Sequence, residues 1–307
     1  MIGSTILIPT SAVTEGVNKT ELTQHSGCNE VRVATLNVFG ALDDWPARRE
    51  VMVPGFEALR PDLVALQEVV ATPDYNQAYD LLGDDYHIVH HSERESDGRG
   101  ISIASRWPIT DVHELALKDV ASRPAGFACS SMIVEVQTPA PIGRLLFANH
   151  LPDWQLTHEY EREQQTITAA RFIENLVGDE RVHVAVAGDL NATPDAATIR
   201  FWTGKQSLGD LSVCYRDAWA STYPDEPGHT FTPDNYLTTT GDGGDWALEL
   251  GRRIDYILVR CTDHGPTLDI TDCQRLFDQT VDGVWASDHF GVTADLSATT
   301  PSGRSVP

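Results

Sequence analysis

The sequence predicts an α/β protein in which strands and helices alternate around one core. Three observations point there. Short apolar runs such as Leu63-Val64-Ala65-Leu66 and Val182 to Ala187 have the length of buried strands. Segments with helical spacing lie between them, most clearly Glu159 to Leu176. At 307 residues and 41% hydrophobic content, the chain suits one large α/β sandwich or two small domains. No linker or internal repeat divides it, so a single domain is expected.

Residues 1–30 are polar and lack periodicity, which predicts a flexible N-terminal extension. The domain is expected over 31–297, starting with the alternating strand Val31 to Leu36 that delivers Asn37 at its end. A helix over 45–60 places Val51, Phe56 and Leu59 on one face and ends at Pro61-Asp62. The next buried strand, Leu63 to Leu66, ends in Gln67-Glu68. A short helix (Tyr75 to Leu82) then precedes strands at Tyr86 to Val89 and from Gly100. Phe127 to Val136 and Arg144 to Ala148 read as strands paired across a turn at 138–143, the second leading into Asn149-His150-Leu151. Val182 to Ala187 ends in Gly188-Asp189-Leu190-Asn191. Later come a helix near Ala196 to Trp202, strands at Ile254 to Val259 and Gly291 to Leu296, and a polar tail over 298–307.

Net charge is −23, and the only lysines are Lys19, Lys118 and Lys205. Non-specific nucleic-acid affinity comes from Lys and Arg neutralising phosphates, so strong nucleic-acid binding is not expected. No apolar run approaches the 18 residues of a membrane span, and the N-terminus lacks the charge pattern of a signal peptide. The five cysteines are scattered without metal-ligand spacing, and Cys129 and Cys261 sit in apolar runs as expected buried thiols. A reduced, cytoplasmic setting and a monomer are expected.

Several predicted strands end in acids or amides: Asn37, Glu68, Asp189 with Asn191 close behind, and Asp288 before the last strand. Histidines follow at His150 and His289. Strand ends are rigid, so side chains there can converge from distant parts of the chain. Hard cations such as Mg²⁺ take oxygen ligands, which Glu68, Asn37 and the aspartates offer. No Cys/His cluster suggests zinc. Bland readings stand beside this one: Asp242 and Asp245 fit a solvated Gly-rich turn, and His87, His90 and His91 fit surface positions.

In order, Leu36-Asn37, Leu66-Gln67-Glu68, Ser105-Arg106-Trp107-Pro108, Asn149-His150-Leu151 and Arg162 with Gln165 form the first half of a motif series. Gly188-Asp189-Leu190-Asn191, Asp217-Ala218-Trp219, Thr230-Phe231, Arg253-Ile254-Asp255-Tyr256 and Ser287-Asp288-His289 complete it. This set resembles the endonuclease/exonuclease/phosphatase superfamily, which includes deoxyribonuclease-I-like enzymes. The resemblance implies a four-layer α/β sandwich: two packed, mostly antiparallel sheets flanked by helices. It also implies Mg²⁺- or Mn²⁺-dependent hydrolysis of a phosphate mono- or diester. Carried over by position, Glu68 would be the principal metal ligand with Asn37 beside it and Asp288 near. Asp189 would align or deprotonate water, and Asn191 would hold a phosphate oxygen. His289, oriented by Asp255, would face the phosphate, with His150 as second histidine. Arg123, Trp154 and Asn149 are candidate substrate contacts. With the negative net charge, a small phosphate ester or lipid headgroup is the expected substrate; a metal-dependent nuclease is the alternative and a non-catalytic binding module a remote one.

Overall fold

The computed structural model describes residues 29–121, 123, 126–178, 182–240 and 250–298. The N-terminal extension before 29, the tail after 298 and the Gly-rich turn with Asp242 and Asp245 lie outside them.

Strand β1 (Glu30–Asn37) leads through helix α1 (Trp45–Leu59) to β2 (Leu63–Val70). Asp44 caps α1 by accepting from the Ala47 amide, and Pro46 sits in its first turn, where a missing N–H costs no hydrogen bond. Helix α2 (Gln77–Leu82) precedes β3 (His87–His90), β4 (Arg99–Ser105) and β5 (Ile109–Ala116). Then come β6 (Ser130–Gln137), β7 (Arg144–Leu151), α3 (Glu159–Val177) and β8 (His183–Asp189). Helix α4 (Ala197–Trp202) is followed by β9 (Tyr215–Asp217), α5 (Ala218–Thr222) and α6 (Leu237–Thr240). The chain finishes with β10 (Asp255–Thr262), β11 (Gly265–Pro266), β12 (Leu268–Leu276) and β13 (Gly291–Ala298).

These strands make two sheets. One has six strands in the order β12-β13-β1-β2-β4-β3; the other has seven, β11-β10-β8-β7-β6-β5 with β9 on β10. Each sheet holds one parallel pair, β1/β2 and β7/β8, and their other pairings are antiparallel. A parallel pair needs a long crossover, and α1 and α3 supply the two crossovers. The predicted layered architecture is therefore the observed one.

Side-chain alternation divides the core into layers. Val31, Val33, Leu63, Ala65, Phe147, Ala185, Ala187 and Ile257 pack between the sheets. Leu36, Val64 and Leu66 face outward to Met52 and Phe56 of α1. Val184, Val186 and Tyr256 face Ala170 and Ile173 of α3 and Trp202 of α4. Arg32 and Asp295 form a buried bidentate pair at 2.7 Å for both contacts, fastening β1 to its sheet neighbour β13.

Two long strands were not anticipated. β5 and β12 lie at sheet edges and carry polar residues in exposed or half-exposed positions, which erases the apolar run that marks a central strand. Among the described residues, no helix is long and apolar enough to cross a membrane.

Candidate active site

The parallel pairs set the site. β1, β2 and β8 all end on the same side of the packed sheets, and antiparallel β10 starts there, with Asp255 opposite Asp189. On β1, Val31, Val33, Thr35 and Asn37 share the inner face; on β8, Ala185 and Ala187 lead to Asp189 in the same way. The period of two thus carries both polar side chains inward at the point where the core ends.

Glu68 breaks this alternation. Simple register would turn it outward with Leu66, yet the β2/β4 ladder slips between Leu66 and Val69, and Glu68 takes φ +53°. A bulge of this kind re-aims one side chain, and a left-handed non-glycine residue stores strain that the surroundings must hold. The carboxylate accepts from the Asn37 amide at 3.0 Å and from Arg99 at 3.4 Å. Asn191 is likewise left-handed (φ +52°), donating its side-chain amide to the Pro152 carbonyl at 3.1 Å.

A continuous polar chain results. The Asn37 Nδ2 group donates to Glu68 and, at 3.2 Å, to Asp189 Oδ2. Asp189 Oδ1 accepts from the Asn191 backbone N–H at 3.0 Å. His289 Nε2 lies 3.8 Å from Asp189 Oδ2, and its Nδ1 donates to Asp255 Oδ2 at 3.0 Å. The His289 ring and the Asp189 and Asp255 carboxylates are almost wholly buried, while Glu68 stays half-buried.

Burial pushes the Asp189 carboxyl up; His289 opposes this and Asp255 adds to it, leaving the group near pKa 7. Burial alone would lower His289, but Asp255, Asp189 and Asp288 together hold it well above its ordinary value. The imidazole is therefore cationic at neutral pH, clamped at Nδ1 with Nε2 toward Asp189. Asp288 is pushed up to about 6, by burial first, with His289 opposing and Glu68 reinforcing. Glu68 and Asp288 thus repel one another across the site, which favours a cation there.

A supporting layer fixes these groups. The Thr230 hydroxyl accepts from the amides of Ile254 (3.1 Å) and Asp255 (3.3 Å), and Phe231 packs against His289 with the rings tilted by 50° and their centres 4.8 Å apart. Asn235 donates to the carbonyls of Ser287 and Asp288, while Ser287 donates to the Asn37 carbonyl at 2.6 Å. Arg48 of α1, buried to 1% exposure, donates to the carbonyls of Val38, Gly40, Leu42 and Ala286 at 2.8–3.0 Å. It ties the loop after Asn37 to the segment before Asp288. Sequence reasoning missed Arg48 and Asn235; a lone arginine in a helix and an asparagine in a loop carry no period or spacing that marks them.

Not every expected residue arrives. Asn149 and His150 are neighbours on β7, so they point to opposite faces. Asn149 faces inward but is fully engaged: it donates to Leu66 and Ser102 carbonyls and accepts from Gln67 Nε2 at 2.8 Å. It joins the sheets, and leaves no polar atom for substrate. His150 faces the helix layer against Trp202, is 0% exposed, and has no protein hydrogen-bond partner at either ring nitrogen. Burial lowers it to about 3, so it is neutral and turned away from His289. Arg123 is held by Glu161 at 3.1 Å through two contacts and by the Thr157 carbonyl. Trp154 is 41% exposed on the loop that continues from Pro152, the carbonyl partner of Asn191. On that loop the sequence also conceals a buried pair, Asp153 with His158 at 2.9 Å, anchored by Arg162 and Gln165. His91 is buried and His90 bonds Ser102 and Asn76, so neither is the surface residue expected; His87 is exposed.

A family model, the Endonuclease/Exonuclease/phosphatase family, matches residues 34–289. The chain belongs to this family. Its members are typically divalent-metal-dependent hydrolases of phosphoesters. No curated protein sequence is significantly similar to the chain. Solved structures share the fold: the human Nocturnin catalytic domain with bound sulfate anion has 16% identity and TM-score 0.67, over 88% of this chain and 95% of that one. TDP2 of D. rerio complexed with single strand DNA product has 18% identity and TM-score 0.65, over 88% and 99%. An endonuclease/exonuclease/phosphatase protein from Bacteroides vulgatus has 20% identity and TM-score 0.65, over 88% and 100%.

Proposed function

We propose that this family member hydrolyses a phosphate ester with the aid of a divalent cation, Mg²⁺ or Mn²⁺, held by Glu68 and Asp288. The observation that carries this reading is the continuous chain Glu68–Asn37–Asp189–His289–Asp255, built from five separate segments. Glu68 and Asp288 offer only oxygen donors, Glu68 retains 30% side-chain exposure, and a cation held by the two would relieve the Glu68 repulsion that adds to burial in raising Asp288. Asn37 turns its NH₂ toward Glu68 and Asp189 while its oxygen accepts from the Phe39 N–H at 3.0 Å, so it orients Glu68 rather than ligating. Asp189, Asp255 and His289 also present atoms within 4.8 Å of one another that could hold an ion. Their internal hydrogen bond and the cationic ring favour proton handling instead.

Held by Glu68 and Asp288, such a cation would supply positive charge to a phosphate oxygen and to the leaving oxygen. His289, kept cationic by Asp255, donates from Nε2 to a second phosphate oxygen as charge accumulates there. Asp189, near pKa 7, is poised to accept a proton from water at neutral pH. The Asn191 amide, pinned by Pro152, retains one N–H for a third oxygen.

For substrate we propose a small phosphate ester or lipid headgroup, because a chain of net charge −23 repels polyanions. A second reading, a nuclease, draws support from the fold shared with a TDP2 complexed with single strand DNA product. One screen separates them: hydrolysis of bis-p-nitrophenyl phosphate, p-nitrophenyl phosphate, glycerophosphodiesters and single-stranded oligonucleotides, each with Mg²⁺, Mn²⁺, Ca²⁺ or EDTA. Metal-dependent turnover of the small esters with oligonucleotides left intact supports the first reading. Faster oligonucleotide cleavage replaces it with the second.

A further inference from the structure

Cys261 follows Val259 and Arg260 on β10, and Cys214 immediately precedes β9. The β9/β10 register pairs Val259 with Arg216 and Arg260 with Tyr215. Extending that ladder by one residue sets Cys261 opposite Cys214, and the Cys261 N–H donates to the Cys214 carbonyl at 2.8 Å. Directly opposed residues of an antiparallel pair have Cα atoms about 4.5–5.5 Å apart. A disulfide requires about 4.4–6.8 Å.

The two side chains also share a face. Tyr215 and Arg260, one step along the ladder, both reach Glu174 of α3 on the outer side, at 2.9 Å and 2.6 Å. Alternation puts Cys214 and Cys261 together on the opposite side. The Cys261 thiol is close enough to Cys214 and Arg216 to feel both, Cys214 raising it and Arg216 lowering it. Cys214 is exposed and Cys261 half-buried, against the sequence expectation for Cys261. Cys129 and Cys273, by contrast, are closed in the core.

We propose that Cys214 and Cys261 form an oxidation site, a cross-strand dithiol that a small-molecule disulfide converts to an intramolecular disulfide. The Cys214 thiolate attacks one sulfur of the small disulfide, forming a mixed disulfide and releasing one small thiolate. The Cys261 thiolate then attacks the Cys214 sulfur, the second small thiolate leaves, and two protons are lost from the protein. The protein pair is oxidised by two electrons and the small disulfide is reduced to two thiols. Attack begins at Cys214 because it is the exposed sulfur, whereas burial, then Cys214 itself, pushes the Cys261 thiol up to about 11. The product staples β9 to the strand that begins with Asp255.

The test uses the full reduced chain with excess oxidised glutathione, followed by intact-mass measurement and peptide mapping. Wild type is expected to lose two hydrogens and yield a linked Cys214–Cys261 peptide. Cys261→Ser should stop at one glutathione on Cys214, and Cys214→Ser should react at position 261 at least tenfold more slowly than wild type closes. A wild type that keeps a glutathione adduct on Cys214 or Cys261, whatever happens at Cys28, overturns the proposal, as does one that links either residue elsewhere or in which neither reacts. So does a Cys214→Ser variant that reacts as fast as wild type.

Discussion

Replacing His150 with leucine separates a structural histidine from a catalytic one. The imidazole is sealed against Trp202, and burial lowers it to about 3. In the unfolded chain it titrates near its ordinary value, about 6.5. Between those values the unfolded state binds the extra proton, so stability rises with pH and is lost as pH falls below about 6.5. Each pH unit is worth about 1.4 kcal/mol, so at pH 5 this group alone costs about 2 kcal/mol relative to pH 8. Leucine removes the titration and keeps an apolar contact of similar volume, with a change at pH 8 of under about 1.5 kcal/mol. Urea denaturation at pH 8 and pH 5 reads both numbers. Wild type should lose about 2 kcal/mol more than His150→Leu on acidification, and the variant should keep its kcat within a few-fold. Parallel losses in the two proteins would refute the burial argument; a loss of activity by a hundredfold at unchanged stability would restore His150 to the catalytic site.

Other consequences follow from the same geometry. Asp255→Asn removes the carboxylate that keeps His289 cationic and should lower kcat about 10²–10⁴-fold with little change in KM, read by steady-state kinetics. Asp189 is raised to about 7, so in metal-free protein its ionisation erodes stability as pH rises from about 4 through 7; Asp189→Asn should raise Tm at pH 8 in EDTA while abolishing turnover. Arg48→Met removes four hydrogen bonds to loop carbonyls, of which Gly40 keeps Gln77 as a donor and Leu42 is half-buried, so the buried Val38 and Ala286 carbonyls are the ones stranded. It should cost about 3 kcal/mol in urea denaturation, with faster amide exchange at 38–42 and 286–288.

Much of this was legible because the central strands write their burial into the sequence. Leu63 to Leu66 and Val184 to Ala187 are apolar on both faces, Val31 to Leu36 is apolar but for Arg32 and Thr35, and the polar residue that follows each run marks where the core stops. Position along a strand, though, does not reveal which face a residue takes once the backbone departs from regular pleating. Glu68 reaches the site only through a bulge and a left-handed φ that no pattern of apolar residues encodes. The converse error is His150: its position beside Asn149 suggests a shared role, yet strict alternation sends the two side chains apart. Edge strands β5 and β12 were hidden by their polar, half-exposed positions. The clamp formed by Arg48 and Asn235 depends on loop carbonyls brought together only by the fold.

The most direct test of the account is hydrolysis of bis-p-nitrophenyl phosphate as Mg²⁺ is titrated into metal-free wild type, Glu68→Gln and His289→Ala. Activity should rise from the EDTA baseline in wild type and saturate. Glu68→Gln should need far more Mg²⁺, and His289→Ala should bind the ion normally but turn over at least about 10²-fold more slowly. Full activity of wild type in EDTA, or of either variant at the wild-type Mg²⁺ requirement, would contradict it.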